Sequence, residues 1–132
     1  MVLVDTSVLI DHFRGIETRE TVYFSATILK GNELSVCGLV MMEVLQGFWD
    51  DREYSIAKTL LDTLFFLPTQ HETYLIAAEI HRKAKKHGCA LRGSMDCLIA
   101  ACAITHNARL LQSDKDYSAI VKFSKLKLVE FN

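Results

Sequence analysis

The sequence is poor in the features that mark special architectures. Pro68 is its only proline, and no Pro-, Gly- or Ser-rich stretch separates one part of the chain from another. No internal repeat or low-complexity tract is present, so solenoids and linker-joined arrays are excluded. No apolar run approaches the roughly 20 residues that a bilayer-spanning helix needs. The N-terminus lacks the basic start and small-residue cleavage site of a signal peptide, so the cytoplasm is the simplest compartment and no membrane partner is expected. Four cysteines (Cys37, Cys89, Cys97, Cys102) form no CxxC pair, and they read as reduced, mostly buried small hydrophobes, with Cys89 in a loop. Five histidines show no ligand spacing. The formal net charge is −1, which denies the chain a global basic footprint for nucleic acid. An enzyme that meets a phosphodiester through a local, metal-loaded acidic site stays allowed.

What remains is a globular composition. Of 132 residues, 50% are hydrophobic and 23% charged, enough for one domain with a real core over residues 1–132. The organising stretch comes first. Met1-Val2-Leu3-Val4 is an unbroken apolar run that ends abruptly on Asp5. Thr6 and Ser7 follow, then Val8, Leu9, Ile10 and Phe13 at helical spacing. This pattern predicts a buried strand, a carboxylate at its tip and a helix capped by Thr or Ser. An apolar strand buried on both faces belongs in the middle of a parallel sheet, and ligands sit outside the carboxyl ends of such strands.

The rest of the chain alternates. Helices are predicted over Glu17–Lys30 (closed by Gly31 and Asn32), Leu39–Trp49, Arg52–Phe66, His71–His87, Met95–His106 and Tyr117–Val121. Strands are predicted over Glu33–Val36, Arg109–Leu111 and Leu126–Phe131, and Phe65-Phe66-Leu67 offers a further one before Pro68. Gly88 suits the end of the helix whose last turns carry Arg82, Lys83, Lys85 and Lys86, a basic run read first as a solvated helix end. Ser94 is placed to cap the helix that follows. The alternation predicts an α/β fold with a mainly parallel sheet and right-handed crossovers.

Four carboxylates are unusually placed. Asp5 ends the first strand, and Asp114 follows a later one with Asp116 two residues on. Asp96 opens a helix. Glu43 interrupts an apolar helix, where an unpaired charge is costly. Parallel strands bring the strand tips and the helix start to one rim. A carboxylate pair about 4 Å apart costs about 4 kcal/mol at an effective dielectric near 20, so such a cluster calls for a cation. Oxygen ligands without His or Cys select a hard ion, Mg²⁺ or Mn²⁺, and a water on such an ion can be activated to attack a phosphoryl centre.

At these residues the chain resembles a known family. Val2-Leu3-Val4-Asp5-Thr6-Ser7-Val8-Leu9-Ile10-Asp11 resembles the opening of PIN-domain ribonucleases, most closely the VapC toxins of bacterial toxin–antitoxin pairs. Met42-Glu43-Val44-Leu45-Gln46-Gly47 resembles their second motif, Asp96-Cys97-Leu98-Ile99-Ala100-Ala101 the third, and Leu110-Leu111-Gln112-Ser113-Asp114-Lys115-Asp116-Tyr117 the fourth. Together the motifs cover nearly the whole chain. The resemblance implies a PIN-like three-layer α/β/α sandwich, Mg²⁺ or Mn²⁺ dependence, and hydrolysis of RNA by a metal-activated water. It also implies a homodimer and a VapB-like antitoxin covering the active site. Carried over by position, Asp5, Glu43, Asp96 and Asp114 are the catalytic acids, with Asp5, Asp96 and Asp114 as metal ligands. Asp116 matches a variable fifth acid. The family often has Thr two residues before its fourth acid; Gln112 stands there, leaving Ser7 and Ser113 as candidate supporting hydroxyls. Arg14, Arg52 and Arg92 read first as surface charge, with RNA phosphate contact as the sharper alternative. Trp49, Phe48 and Tyr23 read first as core, with a partner surface as the alternative.

Three competitors follow from the same residues. An aspartyl-nucleophile phosphohydrolase wants a second acid two residues after the first, where Ser7 stands. A receiver-like phosphoacceptor wants paired acids after the first strand and a Lys at a late strand tip. A non-catalytic PIN scaffold has no need of the full acidic quartet.

Overall fold

A computed structural model describes residues 1–31 and 33–131; Asn32, assigned above to the end of the second helix, lies outside the described residues. The chain runs β1 (Val2–Val4), α1 (Thr6–Phe13), α2 (Arg19–Leu29), β2 (Leu34–Cys37), α3 (Gly38–Leu45), α4 (Asp51–Asp62), β3 (Phe65–Leu67), α5 (His71–Lys86), α6 (Met95–Thr105), β4 (Arg109–Leu111) and α7 (Asp116–Lys122). The four strands form one parallel sheet in the order β3-β2-β1-β4. β1 is central, as its apolar run predicts. Leu3 and Val4 point to opposite faces of a strand and both are fully buried, so helices cover both faces. The result is a three-layer α/β/α sandwich.

The strand tips are tied together where the site forms. The Asp5 backbone N–H donates to the Leu111 carbonyl at 2.9 Å, aligning the carboxyl ends of β1 and β4. The Ser113 N–H donates to Ser7 Oγ at 3.1 Å and pulls the segment after β4 onto the first turn of α1. α6 is flanked by α5 and α7 and carries a run of buried small residues, Ala100, Ala101 and Ala103, that admits this close packing. Gly88 ends α5 with φ +74°, a conformation that glycine adopts without strain.

Three expectations change. The strand expected over Leu126–Phe131 is reduced to a single parallel bridge between Leu110 and Leu128. β4 is only three residues long, and the Arg109 N–H and Leu111 carbonyl point toward β1. Leu110 alone offers backbone groups on the outer side, donating to the Lys127 carbonyl and accepting from the Val129 N–H, each at 2.9 Å. The first helix is capped by Asp5 itself, whose carboxylate accepts from the Ser7 N–H, and not by Thr6 or Ser7. Trp49 lies beyond the end of α3 and is 97% exposed, whereas Phe48 packs edge-on against Phe13.

Candidate metal centre at the carboxyl rim

Each acid reaches the rim on a different element. Asp5 is at the tip of β1, is 4% exposed, and accepts three hydrogen bonds from the protein. Its Oδ2 accepts from the Ser7 N–H at 3.1 Å and from the Ser7 hydroxyl at 2.5 Å. Its Oδ1 accepts from the Tyr117 hydroxyl at 2.7 Å. The same hydroxyl lies 3.5 Å from Asp96 Oδ1. Glu43, on α3, is half-buried, and its Oε1 accepts from the Thr6 hydroxyl at 2.9 Å. This answers the cost of a charge on an apolar helix. Ser94 opens α6 without a side-chain cap, so Asp96 in the first turn is the acidic group that complements that helix end.

Asp114 and Asp116 sit after β4. Gln112 Oε1 accepts from the Asp114 N–H at 2.7 Å, and Asp114 Oδ1 accepts from the Asp116 N–H at 3.0 Å, so the turn is fixed by its own side chains. Asp96, Asp114 and Asp116 each present an oxygen within 4.8 Å of the other two. Among the described residues this is the one acidic triplet compact enough for a shared cation. Asp5 stands beside it, joined to Asp96 through the Tyr117 hydroxyl. The triplet therefore includes Asp116, the acid read above as variable.

The field of the rim is visible in Asp96. Its carboxyl is pushed up to about 6, first by burial and then by the charges of Asp5, Asp114, Asp116 and Glu43. Half-buried oxygens that repel one another, with no Cys or His among them, match the donor set of a hard divalent ion. Tyr117 is pushed far up by burial and by the same acids, which keeps its proton on the oxygen and makes it a permanent donor. On the solvent side, Arg92 Nε donates to Asp116 Oδ2 at 3.0 Å, and Nη2 lies 3.7 Å from Asp114 Oδ1. The four cysteines are free thiols: Cys37, Cys97 and Cys102 are buried, and Cys89 is half-buried between α5 and α6.

Two participants were not singled out from sequence. Tyr117 follows Asp116 directly, which was visible in the sequence, but its full burial and the bond of its hydroxyl to Asp5, 112 positions away, need the fold. Thr6 lies beside Asp5, but its bond to Glu43 crosses 37 positions and needs the fold.

A parallel α/β/α sandwich with carboxylates gathered at one strand rim defines a class of protein, and a PIN domain family model matches residues 2–122. The chain belongs to the PIN domain family. Within that family it is similar to VapC ribonuclease Mb1587 of Mycobacterium bovis and to Ribonuclease VapC11 of Mycobacterium tuberculosis. Each is 31% identical to it over 138 residues, covering 99% of this chain and 99% of the relative. Among solved structures, VapBC2 from Rickettsia felis, bound to a DNA fragment from its promoter, matches with a TM-score of 0.79 at 19% identity over the full length of both chains. That likeness bears on the fold. Within the described residues no helix is long and apolar enough to cross a membrane.

Proposed function

We propose that this chain, as a single PIN domain over residues 1–132, is a metal-dependent endoribonuclease that acts as the toxin of a toxin–antitoxin pair. The observation that carries this is the triplet Asp96, Asp114 and Asp116, backed by Asp5 and Glu43, in a chain similar along its whole length to VapC ribonucleases. Mg²⁺ or Mn²⁺ fits the donors: oxygen ligands, negative in excess, open to solvent on one side. Asp96 and Asp114 are the central ligands. Asp5 stands next to them, and its Oδ1, which accepts a single hydrogen bond, keeps lone-pair capacity for a cation. When bound, such an ion polarises a phosphoryl oxygen and lowers the pKa of a coordinated water.

The chain's own residues do the positioning. Tyr117 and Ser7 hold Asp5 from two sides. Thr6 aims Glu43, a half-buried carboxylate at the site edge that can take a proton from an attacking water. Gln112 fixes the Asp114 turn. The VapBC2 assembly of similar fold from Rickettsia felis favours a VapB-like antitoxin as partner of this chain, which the family resemblance further places over the rim of a homodimer. A cytoplasmic setting fits the four free thiols.

The test is cleavage of total RNA by purified, antitoxin-free protein with Mg²⁺ or Mn²⁺, beside Asp5→Asn protein and a chelator control. Discrete fragments from wild type with metal alone are expected, and their mapped ends give the target. Metal binding without cleavage of any RNA would overturn the nuclease and favour a scaffold or phosphoacceptor.

A further inference from the structure

Arg92 belongs to the segment joining α5 and α6, and its side chain is 78% exposed, so little packing holds it where it is. Two acids do. Its Nε donates to Asp116 Oδ2 at 3.0 Å, and its Nη2 is 3.7 Å from Asp114 Oδ1. Both acids belong to the compact triplet with Asp96. Among the described residues no other Lys or Arg lies within 4 Å of any of the three carboxylates. Among the described residues a single guanidinium is thus the one positive charge within ion-pair reach of the triplet.

We propose that Arg92 is a built-in counter-ion of this site: it holds Asp114 and Asp116 while no divalent ion is bound, and a divalent ion displaces it. This rests on the metal-centre assignment above. A divalent ion between Asp96, Asp114 and Asp116 would draw on the same carboxylates that hold the guanidinium. It would also set a double positive charge beside a single one. The two cations therefore compete, and the more highly charged one takes the oxygens. Leaving costs Arg92 little, because an exposed ion pair is worth only about 1 kcal/mol or less. The benefit lies in the metal-free protein, where three clustered carboxylates would otherwise repel with no cation in direct contact.

The experiment uses full-length, antitoxin-free protein as wild type, Arg92→Gln and Asp96→Asn. Mn²⁺ affinity is measured by calorimetry, and melting temperature is measured in chelator and in saturating Mn²⁺. Arg92→Gln should bind Mn²⁺ about three- to fivefold more tightly, the fold-change that an exposed ion pair supports. It should melt below wild type in chelator, and that gap should close in saturating Mn²⁺. Unchanged or weaker Mn²⁺ affinity, or the same melting loss with and without Mn²⁺, would overturn the counter-ion and leave an ordinary surface ion pair. If wild type itself shows no saturable Mn²⁺ binding, the metal centre falls and the counter-ion falls with it. If wild type binds, Asp96→Asn does not, and Arg92→Gln matches wild type, the counter-ion alone fails.

Discussion

The Tyr117 hydroxyl donates to Asp5 Oδ1 at 2.7 Å and stands 3.5 Å from Asp96 Oδ1, so one buried phenol links the tip of β1 to the start of α6. It has one proton to give, and Asp5 takes it. Asp5 is almost without solvent, so water cannot readily replace that donor. Tyr117→Phe should therefore cost about 1–3 kcal/mol of stability in urea unfolding of the metal-free protein. Because the ring and its packing are kept, the loss reports the hydroxyl alone. An unchanged unfolding midpoint and slope would show that Asp5 does not depend on this bond.

The raised carboxyl of Asp96 makes the metal-free protein pH-sensitive with a defined sign. The unfolded group titrates near 3.8 and the folded one near about 6. The folded state thus holds more protons across that window, and its stability falls as pH rises from about 4 to about 6. Above that window the penalty is complete. Asp96→Asn in chelator at pH 7.5 should be more stable than wild type by about 1 kcal/mol, less than full linkage because the group is half-exposed. At pH 4 the gain should vanish. Mg²⁺ or Mn²⁺ should reverse the order by stabilising wild type more. Equal response of both proteins to metal would remove the metal centre.

Much of this was legible before any coordinates. Met1–Val4 followed by Asp5 is a pattern with one comfortable solution, a buried central parallel strand with an acid at its tip. Of the four acids only Glu43 broke a local rule, as a charge within an apolar helix; Asp5, Asp96 and Asp114 drew notice by their places at strand tips and a helix start, together with the motifs around them. Long-range hydrogen bonding was not legible. Thr6 to Glu43 and Tyr117 to Asp5 each join distant positions, and no local pattern encodes them. The membership of the triplet also needed the fold: spacing makes Asp116 look like an ordinary turn acid, and only the approach of α6 brings Asp96 to it. The last strand failed for a reason of length, since a three-residue β4 has one residue to offer on its outer side. Trp49 was misassigned to the core because α3 stops at Leu45, four residues before it.

Thr6 tests whether Glu43 is held for chemistry. Thr6→Val keeps the shape and removes the donor to Glu43 Oε1. Glu43 is only half-buried, so water can take over and stability should drop by less than about 1 kcal/mol. RNA cleavage should fall further, by about tenfold, the rate equivalent of about 1.4 kcal/mol of lost positioning. Thr6→Ser should restore most of it. Full activity in Thr6→Val would show that Glu43 needs no orientation from α1.

At Gln112 the chain differs from the threonine that the family resemblance implies, and the structure shows what the amide does there. Its side-chain oxygen accepts from the Asp114 N–H at 2.7 Å, two residues on. A threonine hydroxyl can make the same kind of short-range bond to a backbone N–H. The expected requirement is an acceptor at this position, whatever side chain provides it. Gln112→Ala should leave the Asp114 turn unpinned and weaken Mn²⁺ binding by about three- to tenfold, within the range for losing one hydrogen bond. Gln112→Thr should stay within about twofold of wild type on the same scale. Calorimetric titration of the three proteins decides it. Alanine binding as tightly as glutamine would mean that the Asp114 to Asp116 bond alone holds the turn.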